Sequence, residues 1–134
     1  MTKTATLLKK SENGRKAIYI DDENAEAILK FLKETKGTTQ KFWMVVNLIL
    51  EGRPPRDLYD KEDIEKGCEN VTAIKLFKGK RNPRIYCQQY AHGELKIYVI
   101  VLSEILPKKT SQGISKKEKS LIRKVAKKQY TLHD

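Results

Sequence analysis

No apolar run in the chain is long enough to span a membrane. Its most apolar stretches, Val45-Val46 and Ile97 to Leu102, fall far short of the roughly 20 residues that a bilayer requires. The first ten residues offer only Leu7 and Leu8 as strongly apolar side chains, so they lack the hydrophobic region of a secretory signal. The expectation is a cytoplasmic protein with no membrane partner. Cysteine is scarce as well. Cys68 and Cys87 are too few for a disulfide scaffold and have no neighbouring His or further Cys for a zinc site, so both are expected to be reduced and structural. The phosphate-loop pattern G-x-x-x-x-G-K-[ST], the dinucleotide pattern G-x-G-x-x-G, the zinc pattern H-E-x-x-H and any recognisably spaced Ser, His and Asp are all missing. These absences argue against nucleotide hydrolysis and zinc chemistry, and neither cofactor nor metal is expected. His92 and His133 stand alone in the sequence, and isolated histidines are more often surface or satisfied residues than catalysts.

What the second half lacks is acid. Residues 1–70 carry 13 basic and 13 acidic side chains, whereas residues 71–134 carry 15 basic and 4 acidic ones, so the whole formal charge of +11 lies in that half. A surplus confined to one segment creates a positive surface that attracts phosphate polymers or acidic protein.

The size, 134 residues, with 39% apolar and 34% charged residues, fits one globular domain over residues 1–134, with 1–15 flexible. Lys16 to Ile20 reads as a strand closed by Asp21-Asp22, which can cap a helix. Ala25, Ile28, Leu29 and Leu32 recur at i, i+3, i+4 and i+7 and predict an amphipathic helix ending near Gly37. Thr38 or Thr39 can cap a second helix, with Phe42, Val45, Val46 and Ile49 on its stripe and Gly52 and Pro54-Pro55 at its end. Residues 53–70 read as a connection. From Val71 the period changes toward two, which predicts strands over 71–77, 84–90 and 95–102. The last of these is apolar on both faces and is expected to lie centrally under helices. Ser115-Lys-Lys-Glu118 has the form of a capping box and opens a final helix with Leu121, Ile122, Val125 and Ala126 on its stripe. The fold class expected is α+β: an antiparallel sheet of about four strands, an N-terminal helical hairpin and a C-terminal helix, in the order β-α-α-β-β-β-α.

Lys75 to Arg84 gathers five cations, Lys75, Lys78, Lys80, Arg81 and Arg84, without one acid. Lys78, Lys80 and Arg81 suit either RNA binding or a solvated hairpin tip that discourages edge pairing. Lys75 and Arg84 fall on neighbouring strands and can face a common surface, and Lys124 adds charge from the last helix. Tyr86, Tyr90 and Tyr98 suit strand packing first and base stacking second.

Arg84-Ile-Tyr, His92-Gly93, the apolar strand Ile97 to Leu102 and Pro107-Lys108-Lys109-Thr110 ahead of the helix from Ser115 to Lys128 stand in a characteristic order. In that order the stretch from Val71 to Tyr130 resembles the RelE/ParE toxin superfamily, especially its HigB and phage-derived branch. The resemblance implies a toxin of a toxin–antitoxin pair, often a metal-independent, ribosome-dependent messenger RNA endonuclease, with a cognate antitoxin and messenger RNA as partners. It also leaves a non-hydrolytic alternative, a gyrase inhibitor or an inactive nucleic-acid-associated relative. By matching position it assigns Arg84 and Lys108 or Lys109 to the scissile phosphate and Tyr130 or His133 to proton transfer. Pro83 departs from the family, which often has an aromatic residue before the arginine.

Overall fold

The computed structural model describes residues 2–62, 64–77, 83–106 and 115–134. The chain runs β1 (Lys3–Lys10), β2 (Lys16–Asp21), α1 (Ala25–Leu32), α2 (Lys36–Leu50), β3 (Tyr59–Lys61), β4 (Val71–Ile74), β5 (Arg84–His92), β6 (Ile97–Leu106), α3 (Lys116–Lys127) and β7 (Tyr130–His133). The strands form one seven-stranded sheet in the order β3-β4-β5-β6-β2-β1-β7. Its pairs are antiparallel except β2 with β6 and β1 with β7, which run parallel.

This mixed sheet overturns the expected four-stranded antiparallel sheet with an N-terminal helical hairpin. Two strands precede the helices, and β1 and β7 extend one edge of the sheet while β3 extends the other. The added strands carry little hydrophobic alternation. Of β1 only Ala5 is fully buried, β7 has four residues and β3 three. Residues 3–10, expected as a flexible lead, are held by β2 on one side and β7 on the other. Parallel pairing of β2 with β6 is set by the return of the chain after the intervening elements, which no local period records.

The interior follows from side-chain alternation. Ile18, Ile20, Ile74, Ile85, Cys87, Ile100 and Leu102 line one face of the sheet and pack against Ile28 and Leu32 of α1 and Phe42, Val45, Val46 and Ile49 of α2. α2 starts earlier than the sequence suggests. Thr35 is its cap, its hydroxyl accepting from the Thr38 amide at 3.0 Å, so Gly37 lies inside the first turn. The opposite face carries α3, whose Ile122 and Val125 pack on Val71, Ala73, Tyr86 and Leu106. Farther along that face, Ala5, Ala17, Tyr19, Val99 and Val101 form a third cluster with Tyr90, Tyr130 and Leu132 at its margin. β6 is the central strand of the seven, and helices cover it on both sides.

Both cysteines are free and buried, and burial pushes the Cys87 thiol up from its ordinary value. Among the described residues no helix is long and apolar enough to cross a membrane. Phe42 is 2% exposed at the centre of the hairpin core, so Phe42→Ala is expected to remove about 3–5 kcal/mol of stability. Urea denaturation with an unchanged m-value checks this, and a loss below about 1 kcal/mol contradicts the packing described.

Candidate nucleic-acid interface

The capping box at the start of α3 is formed in both directions. The Ser115 hydroxyl accepts from the Glu118 amide at 3.2 Å, and the Glu118 carboxylate accepts from the Ser115 amide at 2.8 Å. This turns Glu118, the helix's only acid, inward, where it is 2% exposed. Lys116, Lys117, Lys119, Arg123, Lys124 and Lys127 stay outside. Two of them are matched, since Arg123 pairs with Glu65 at 2.7 Å and Lys124 with Glu104 at 3.0 Å. Lys116, Lys117, Lys119 and Lys127 make no ion pair among the described residues. They form a cationic outer face to which the helix itself contributes no acid.

Beneath α3 the sheet carries two buried polar networks. The first joins Arg84 and Lys75 through one oxygen of Glu62, at 3.2 and 3.3 Å, and Arg84 also lies 3.8 Å from Glu118. Tyr86 donates to Glu118 at 3.3 Å. Burial, reinforced by the neighbouring carboxylates of Glu118 and Glu62, holds the Tyr86 phenol well above its ordinary value. Arg84 is only 8% exposed. Its cation is matched within the protein.

The second network lies where the chain leaves α3 and crosses to β7. The Lys128 ammonium donates to Asp21 at 2.9 Å, to the Ser103 carbonyl at 3.2 Å and to Glu104 at 3.3 Å. The Tyr130 hydroxyl donates to Asp21 at 2.6 Å and lies 2.7 Å from the Ser103 hydroxyl. The Asn24 amide closes the group, donating to Ser103 O at 2.7 Å and to Glu104 at 3.0 Å. Burial and the bond to Asp21 hold the Tyr130 phenol far above its ordinary value, which keeps it protonated at neutral pH.

The site candidates are thus divided. Arg84 and Lys75 meet at Glu62, Tyr130 belongs to the Asp21 group, and Lys124 touches that group from outside through Glu104. His133 lies at the far edge, its Nε2 2.8 Å from Asp22 and 3.2 Å from the Thr6 hydroxyl. Lys78, Lys80, Arg81, Lys108 and Lys109 lie outside the described residues. Sequence reasoning missed Asp21, Glu104 and Lys128 as a unit. The available signal was Glu104, one of only four acids in the second half, set in an otherwise apolar strand. It also missed the polar row of β5, where Arg84, Tyr86, Gln88, Tyr90 and His92 alternate onto the α3 face.

Among the described residues no group of three or more His, Cys, Asp or Glu could hold a metal ion. No protein-family model, no curated protein and no solved structure matches the chain.

Lys128→Met leaves Asp21 and Glu104 without their buried cation and is expected to cost about 3–5 kcal/mol, read by chemical denaturation. A neutral effect would show that the network does not hold the crossing. His133 supplies a second test. Its hydrogen bond to Asp22, together with charge attraction, raises its proton affinity above the usual histidine value. Partial burial of Asp22 opposes ionisation, but hydrogen bonds from Thr6 and His133 outweigh it and lower its value. The pair therefore contributes stability below the unfolded histidine value, and that contribution is lost as pH rises through the folded one. The Asp22 contribution is lost instead as pH falls through its lowered value. Titration of the His133 ring by NMR is expected to give a midpoint above about 6.5, and Asp22→Asn to bring it down. An unchanged midpoint in that variant contradicts the pairing.

Proposed function

We propose that this chain binds single-stranded nucleic acid through the outer face of α3. The observation that carries this reading is the run of exposed cations Lys116, Lys117, Lys119 and Lys127, unmatched among the described residues, on a helix whose one acid is buried. Such a face contacts phosphates and releases their counterions. It does not suit insertion into a lipid surface, which needs an exposed apolar stripe, because Ile122 and Val125 are packed on the sheet. The resemblance to RelE/ParE toxins supplies the biological setting: a cytoplasmic toxin acting on messenger RNA, with an antitoxin whose acidic groups cover the same face.

Within that setting the non-hydrolytic alternative is favoured over cleavage. Metal-free RNA cleavage needs cations free to neutralise the phosphate, and groups free to take up and return protons. Arg84 is engaged by Glu62 and Glu118, and Tyr130 by Asp21 and Ser103. Among the described residues the cleavage reading rests on His133, a half-exposed imidazole backed by the Asp22 carboxylate, an arrangement used by general bases.

Reversing Lys116, Lys119 and Lys127 to Glu is expected to weaken single-stranded RNA binding at least tenfold and to flatten its salt dependence. Each lost phosphate contact removes roughly 0.7 from the log–log slope. Fluorescence anisotropy across a salt series measures both, and wild-type affinity in the triple variant would overturn the reading. For cleavage, inducing the protein in a bacterial host and mapping messenger RNA ends beside His133→Ala decides. New ends that vanish in the variant establish hydrolysis, while intact messages with abundant soluble protein leave binding alone.

A further inference from the structure

Beside the C-terminal end of α3 lies a cleft of about 320 Å³, lined by Asn70, Gln88, Tyr90, His92, Ala126, Lys128, Gln129 and Tyr130. Its volume is at the lower end of small-molecule sites, and its walls carry hydrogen-bonding groups that the protein does not use. The Asn70 amide nitrogen donates to Ala126 O at 3.3 Å, but its oxygen Oδ1 is buried without a hydrogen-bond partner among the described residues. That oxygen is closed off from solvent and is not offered to a ligand in the cleft. Gln88 is fixed by its nitrogen, which donates to Val125 O at 2.9 Å and to Lys128 O at 2.7 Å. Those bonds leave its oxygen as the acceptor of the cleft. His92 accepts the Leu95 amide on Nδ1 at 3.1 Å, so in the neutral ring the proton is on Nε2, a donor. Tyr90 and His92 stand with ring centroids 6.3 Å apart and planes at 37°, which provides aromatic surface at the same place.

The Gln88 acceptor, a ring donor and aromatic surface at the end of a helix whose outer face is cationic match an unstacked nucleobase whose phosphate meets a cation. The Gln88 acceptor also discriminates. Cytosine and adenine present an exocyclic amine as donor, whereas uracil presents a carbonyl at the equivalent position. We infer that this cleft binds one flipped-out, amine-bearing base, cytosine or adenine in preference to uracil, of a strand lying along α3. The inference rests on the α3 reading and adds base selectivity to it.

The test compares labelled C8 and U8 RNA, which differ in the pyrimidine edge but not in charge or length. C8 is expected to bind about tenfold more tightly than U8 at equal salt, the equivalent of about 1.4 kcal/mol. Gln88→Leu and Tyr90→Leu are each checked for native circular dichroism; the first is expected to abolish that preference and the second to weaken C8 binding through loss of stacking. A probe independent of both substitutions is free nucleotide: cytidine monophosphate is expected to shift the ring signals of His92 and Tyr90, and uridine monophosphate is not. Equal binding of C8 and U8 by the wild type, with salt-dependent affinity intact, overturns the cleft and leaves the α3 face standing. Failure of both oligonucleotides to bind at low salt removes the α3 reading and the cleft together.

Discussion

The arrangement of the second half depends on one buried cation. The chain must pass from α3, which lies over β4, β5 and β6, to β7 at the far edge of the sheet, and Lys128 is where that passage is fastened. Its ammonium lies between Asp21 at the end of β2 and Glu104 near the end of β6. Asn24 donates to the second oxygen of Glu104, and Tyr130 shares Oδ2 of Asp21 with the ammonium. Such a group offers less stability than its short distances suggest, because each ion loses hydration. Its consequence is geometric: with Lys128 fixed, the apolar stripe of α3 faces the sheet and its lysines face outward.

The same distinction, matched inside and unmatched outside, separates cations that the sequence shows only as a sum. Arg84 and Lys128 neutralise buried carboxylates, and Arg123 and Lys124 are paired at the surface. These residues add little to the external field, whatever their share of the formal charge. What remains on α3 is a set of lysines, three in its first turn and Lys127 at its end, with a cleft built from polar β5 side chains at that end. Under the proposed reading, charge supplies affinity there without regard to sequence, and the cleft supplies the hydrogen-bonding groups that distinguish bases.

Where a residue's environment is set by its near neighbours, the sequence is a good guide. The stripes Ile28–Leu32 and Phe42–Ile49 do lie on helices and pack on the sheet, Ser115 and Glu118 do form the capping box, and the doubly apolar β6 does lie centrally. The sheet as a whole was not legible, because its extra strands are short or half-exposed and its parallel pairs join residues about 80 or more positions apart, as Ala17 with Val99 and Ala5 with Leu132. The candidate site suffered from the same cause. The resemblance makes Arg84 a phosphate ligand and its sequence neighbours are basic, yet Glu62 and Glu118 reach it from two distant segments. Asp21 reads as a helix cap, and it does accept the Glu23 amide at 2.8 Å, but its other oxygen holds Lys128 and Tyr130 from the opposite end of the chain.

The most direct measurement is backbone amide chemical-shift mapping of the full chain during titration with a short single-stranded RNA. The account predicts shifts concentrated over α3, the crossing at Lys128 to Tyr130 and the β5 residues Gln88 to His92, with α1 and α2 unmoved. Shifts centred on the α1–α2 hairpin, or none in α3 at saturating RNA, would contradict it.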